Sequence, residues 1–113
     1  MRDLGTLLDI YQSILLVFKY TENINYEQLQ NNPEKQDAIL RRITIIGEAT
    51  KRLSSEFREE HSTIPWKQIA GMRDIISHKY DEVDLKEVWT VITVNLPTLH
   101  DYIVPLLPEE HQP

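Results

Sequence analysis

The 113-residue chain contains no cysteine, which excludes disulfides and thiolate metal sites and fits a reducing compartment. It also has no apolar run of membrane-spanning length. The stretch from Ile14 to Phe18 falls far short of the roughly 20 residues such a helix needs. The opening segment MRDLGTLLDIYQSILLVFKY is interrupted by Asp3 and Asp9 and has no small-residue cleavage site, so it does not read as a secretory signal. A soluble cytoplasmic protein is the expectation. There is no glycine-rich phosphate loop and no Gly-x-Ser-x-Gly elbow. The four histidines form no His-x-x-x-His pair, so neither a metal nor a cofactor is expected.

What is present is an ordinary globular composition, 41% hydrophobic and 27% charged. The length suits one domain over 1–113, with its core at about 1–104 and a short proline-containing tail. The net charge of −6 argues against a protein that coats nucleic acid indiscriminately. The charge is unevenly spread, however. Residues 35–79 hold nine of the twelve basic residues and six acids, a balance of +3, and the remainder carries −9. Either these are mixed-charge helix faces, or a local anion-binding surface lies within a repulsive field.

Apolar residues recur at helical spacing throughout, with no alternating strand pattern. Leu4, Leu7, Leu8, Tyr11, Ile14, Leu15 and Phe18 form one stripe, which Ile10 and Val17 widen. That width suits either a central helix or a self-association surface. Asn25 is a candidate cap for a short helix containing Leu29, and Asn32-Pro33 is a strong helix start. From Pro33 one helix is expected to run to about Glu60, with Ile39, Ile43, Ile46, Thr50, Leu53 and Phe57 as its seam. Gly47 costs this helix roughly 1 kcal/mol relative to alanine, and close approach of a neighbouring helix is the expected return. Pro65 starts a helix with Trp66, Ile69, Met72 or Arg73, and Ile76 on one face. Asp84 caps a last helix carrying Leu85, Val88, Trp89, Ile92, Leu96, Leu99 and Ile103, which Pro97 kinks or restarts and Pro105 and Pro108 end. The fold class is all-α, an up-and-down bundle of four to five helices.

The segment GMRDIISHKY, residues 71–80, concentrates chemistry. His78 is the residue type that exchanges a proton near neutral pH. Arg73 offers a rigid fork of donors for a phosphate or a developing phosphorane. Asp74 lies four residues before His78 and shares its helix face. Arg73 and His78 are five apart, about 140° round one helix, so a single helix does not aim both at one atom. Either the helix unwinds near His78 or two copies meet across a two-fold axis. A histidine with an arginine and no metal suffices to cleave RNA, whose 2′-hydroxyl is an internal nucleophile. DNA lacks that group and is not an expected substrate. On spacing alone, an exposed polar helix end is the competing reading.

Two stretches carry a family resemblance. YTENINYEQLQNNPEKQDAILRRITIIGEATKRLS contains a tyrosine connector and a Gly-Glu-Ala helix. IPWKQIAGMRDIISHKYDEVDLKEVW contains a Pro-Trp helix start, an Arg-x4-His-x-Tyr signature and a capped helix ending in tryptophan. The chain thereby resembles the HepT-like (DUF86) proteins of the HEPN superfamily over most of 1–104. The resemblance implies a dimeric, metal-independent endoribonuclease, the toxin of a toxin–antitoxin pair, with two signatures lining a shared cleft. It further implies an antitoxin partner, an MNT-type nucleotidyltransferase that transfers AMP to the signature tyrosine. Carried over, Arg73 stabilises the scissile phosphate, His78 is general base or acid, and Tyr80 accepts AMP and helps shape the cleft. From the spacing, Asp74 orients His78. Lys79 either contacts RNA phosphate or is solvated. Glu48 either faces the cleft and pairs with Arg73 or is a plain surface residue. The competing function is a non-catalytic helical binding partner of a nucleotidyltransferase.

Overall fold

The computed structural model describes residues 2–74 and 84–113. Among them every regular element is helical, as the periodicity requires. In chain order they are α1 (Leu4–Tyr20), α2 (Tyr26–Gln30), α3 (Pro33–Arg52), α4 (Ser55–Glu60), α5 (Trp66–Gly71), α6 (Leu85–Thr90), a π-helical turn (Val91–Asn95) and α7 (Leu96–Ile103). No described helix is long and apolar enough to cross a membrane.

The starts are set by local chemistry. Asn25 accepts the Gln28 N–H, and the Gln28 side chain accepts the Asn25 N–H in return, so α2 opens on a reciprocal capping box. Asn32 accepts the Lys35 N–H, with Pro33 at the first helical position. Asp84 accepts the Lys86 N–H at the head of α6. At the junction of α2 and α3, Gln36 Nε2 donates to the carbonyls of Leu29 and Gln30 at the end of α2.

The core is a seam between α1 and α3, closed by α5 on one flank and by α6 and α7 on the other. All six seam positions of the 39–57 stretch are buried. The helix that carries them is shorter than its periodicity suggests, because it stops at Arg52 and resumes at Ser55. The break is imposed from outside. Leu53 and Ser54 adopt extended backbone. The carboxylate of Asp3 accepts both the Ser54 N–H and the Ser54 hydroxyl at 2.8 Å, and the same hydroxyl accepts the Phe57 N–H at 3.1 Å. Phe57 stays in the core, so the chain bends without losing its apolar register.

The buried Asp3 carboxyl is held below its ordinary pKa, first by the Ser54 backbone N–H. Burial opposes this, while the Ser54 hydroxyl and the Arg2 charge reinforce it. A depressed carboxyl contributes stability above its unfolded pKa of about 3.9 and loses it as pH falls through the folded value. Asp3→Ala is expected to cost on the order of 1–3 kcal/mol at neutral pH. Urea midpoints should show that difference shrinking below about pH 4. A difference independent of pH would mean that the charge contributes nothing.

Two other departures from the periodic reading have physical causes. In α1 the buried face is centred on Ile10, Ile14 and Val17, whereas Leu15 is 40% exposed. The wide face is therefore mostly spent on α1's central position in the core. Near Pro97 the helix restarts, as one of the two expected outcomes, with α7 opening at Leu96 and the proline in its first turn. Proline lacks an N–H and its ring crowds the carbonyl four residues back. The chain answers with a wider turn, in which the Leu96 N–H reaches the Val91 carbonyl, and helical backbone continues on both sides.

Candidate active site

The corner between α4 and α5 fixes where the signature segment begins. Trp66 is buried, and its indole N–H donates to the His61 carbonyl at 3.1 Å. Phe57 packs against both the His61 ring (4.5 Å between centroids) and the Trp66 ring (5.9 Å). With Trp66 anchored and Ile69 and Met72 buried, the helical phase of α5 is fixed up to Arg73. Met72 keeps right-handed helical dihedrals beyond the end of α5.

The other end of α5 rests on Gly47. A β-carbon there would lie 2.7 Å from Arg73 Cβ and 3.2 Å from both the Ala70 carbonyl oxygen and the Arg73 nitrogen. The helix-weakening glycine of α3 thus sits where the backbone bearing the signature arginine passes. The expected close approach is present, and its partner is Arg73.

The next residue of α3 reaches the head of the same side chain. Glu48 Oε1 lies 3.6 Å from Arg73 Nε, with the two side chains 43% and 37% exposed respectively. Of the two readings the sequence leaves open, the one that faces Glu48 towards Arg73 holds. This contact is an ion pair and not a hydrogen bond, since 3.6 Å is too long for one. Accordingly Arg73 Nε is buried with no hydrogen-bond acceptor among the described residues. Half-exposed pairs of this kind contribute only about 0–1 kcal/mol net, so Glu48 does little for stability.

Asp74 is exposed at the surface next to Arg73. His78, Lys79 and Tyr80 lie outside the described residues. The remaining histidines are engaged in packing or at the surface. His61 stacks on Phe57, and His100 lies between the rings of Tyr11 (5.8 Å) and Phe18 (5.7 Å). His111 sits in the C-terminal turn, 3.7 Å from Glu110.

Periodicity gave no sign of one neighbouring feature. On the flank of α5 beside Met72, a groove of about 170 Å³ runs between α5 and α7, with Val94 57% and Tyr102 40% exposed. The available signal was a pair of large apolar residues off the buried face of the last helix.

Comparison with known proteins gives a consistent picture. The family model described as Ribonuclease HepT-like matches residues 10–106. A Methanocaldococcus jannaschii protein named "Gamma-glutamylcyclotransferase and putative RNase" is 43% identical over 100 residues, 88% of this chain. The chain spans only 45% of that relative's length. A Caldanaerobacter subterraneus protein named "Putative RNase" is 38% identical over 89% of this chain and 90% of its own. One from Thermococcus cleftensis, named "Probable ribonuclease HepT", is 36% identical over 82% of this chain and 84% of its own. No solved structure gives a significant match.

Proposed function

The chain belongs to the HepT-like ribonuclease family of the HEPN superfamily, and from that premise we propose that it is a metal-independent endoribonuclease, the toxin of a toxin–antitoxin pair, acting through Arg73 and His78. The observation that carries this reading is the placement of Arg73. Its backbone is seated on Gly47, its Nε edge faces Glu48, and its side chain as a whole is still more than a third exposed. An arginine so held presents spare N–H donors to a phosphate without having to leave its seat.

In the proposed reaction His78 takes the proton of the 2′-hydroxyl, and the 2′-oxygen bonds to the adjacent phosphorus. The bond from phosphorus to the 5′-oxygen then breaks, and that oxygen receives a proton from a second, protonated imidazole. The products are a 2′,3′-cyclic phosphate and a 5′-hydroxyl. Arg73 offsets the negative charge that accumulates on the non-bridging oxygens. Two imidazoles in complementary protonation states suit a homodimer whose twin signatures share one cleft. The apolar groove beside Met72, with Val94 and Tyr102 exposed, offers that second copy a surface next to the helix that leads to Arg73.

Tyr80 is the proposed acceptor of AMP from an MNT-type nucleotidyltransferase antitoxin. It follows His78 by two residues, so an attached nucleotide brings its own phosphate to the cationic cleft that RNA needs. Lys79 is a further candidate for contact with RNA phosphate. Asp74, exposed and four residues before His78, is the proposed group that orients the imidazole. The test is incubation of the purified protein with RNA in excess EDTA. Cleavage is expected. Intact RNA, together with a stable complex with the nucleotidyltransferase, would instead favour a non-catalytic binding partner.

A further inference from the structure

We infer that Glu48 is a positioning residue, which orders the Arg73 guanidinium before an RNA phosphodiester arrives; this rests on the ribonuclease reading above. Consecutive residues of one rigid helix touch the arginine at its two ends. Gly47 leaves the room that its Cβ and backbone nitrogen occupy, since a β-carbon there would lie 2.7 Å and 3.2 Å from them, and Glu48 faces its Nε. Root and head are therefore referenced to the same turn of α3, a 20-residue helix buried along its seam.

The contact is made at Nε, which is buried and has no hydrogen-bond acceptor among the described residues. A guanidinium carries five N–H groups, and the four on the two Nη atoms form the fork that matches a phosphate. A carboxylate 3.6 Å from Nε attracts the group at that edge and so biases its orientation without occupying the fork. A long arginine otherwise samples many rotamers and would have to be ordered during the reaction itself. A half-exposed ion pair adds little to folding. Its effect is therefore expected in turnover.

A carboxylate beside the substrate phosphate also repels it, and this separates positioning from simple charge complementarity. If Glu48 positions Arg73, Glu48→Ala should lower kcat by roughly 10–100-fold. Binding of uncleavable 2′-O-methyl RNA should be unchanged or tighter, and the melting temperature close to that of the parent. Glu48→Gln, which keeps an oxygen at the same reach, should recover part of the loss. The Arg73 Nε order parameter from NMR should drop in Glu48→Ala, a readout that needs no cleavage. Unchanged or raised kcat, or an Nε that is equally ordered without the carboxylate, would overturn the inference. If the parent protein cuts no RNA, the ribonuclease reading fails, and the order parameter alone still decides whether Glu48 positions Arg73.

Discussion

Replacing His78 by alanine is expected to lower RNA turnover by on the order of 10²–10⁴-fold, the usual contribution of a positioned acid–base group. Folding should be unaffected, because no seam position is involved. Arg73→Ala should cost about 10²–10³-fold, the scale seen when one donor to a developing negative charge is removed. Arg73→Lys should not restore the rate, since a point charge does not reproduce the planar fork. The two variants together test the shared cleft. A mixed dimer holds one arginine from the His78→Ala chain and one histidine from the Arg73→Ala chain. Because the reaction uses two imidazoles and the mixed dimer keeps one, a recovery above the His78→Ala protein but well below the parent is expected if both protomers line a single slot. Recovery to the parent rate would remove the need for the second imidazole, and a mixed dimer no faster than His78→Ala alone would contradict a slot in which one protomer's arginine serves the other's histidine. His78→Ala cutting at the parent rate would remove the acid–base assignment altogether.

Gly47→Ala is expected to separate activity from stability. Two terms oppose each other in the fold. Alanine gains up to about 1 kcal/mol of helix propensity over glycine. Against that, its methyl would sit 2.7 Å from Arg73 Cβ and 3.2 Å from two backbone atoms. None of these is the far end of a flexible side chain, so α5 has to move, at a cost of about 1–3 kcal/mol. The net change in stability is thus small or moderately unfavourable. The rate is not protected by this cancellation, because every version of the relief shifts Arg73. A displacement near 1 Å costs on the order of 10²-fold in rate. Melting temperature and kcat measured side by side check this, with Gly5→Ala as control, since a β-carbon at Gly5 meets nothing within 4 Å. A Gly47→Ala protein with parent-like kcat would mean that the α3–α5 contact does not set the position of the arginine.

Much of this architecture is legible in the sequence because local chemistry decides it. Asn25, Asn32 and Asp84 cap helices as their residue types require, and the six-residue seam from Ile39 to Phe57 is buried as its spacing requires. What was not legible is tertiary. The helix break at Leu53–Ser54 is held by an acceptor 51 residues away, and Phe57 keeps the apolar rhythm across it, so the one local mark of the end is Ser54 as the cap of the next helix. The face of α1 is rotated towards Ile10 and Val17 because neighbours lie along it, which one helix's periodicity does not encode. The turn at Val91–Asn95 is one of several ways to seat Pro97, and sequence does not choose among them. The site divides the same way. Arg73 and the glycine at position 47 were each conspicuous, but helical phase cannot say which helices cross. The sequence left the Glu48–Arg73 pair as one of two readings, and the placement of α3 against the segment that bears Arg73 decides for it.

The most direct measurement uses a DNA oligonucleotide containing a single ribonucleotide, incubated with the purified protein in excess EDTA. The account predicts one cut, immediately 3′ of the ribonucleotide, leaving a 2′,3′-cyclic phosphate and a 5′-hydroxyl. The same strand with a 2′-O-methyl group at that position should remain whole. Cleavage at deoxynucleotides, or cleavage that appears only when a divalent cation is supplied, would contradict it.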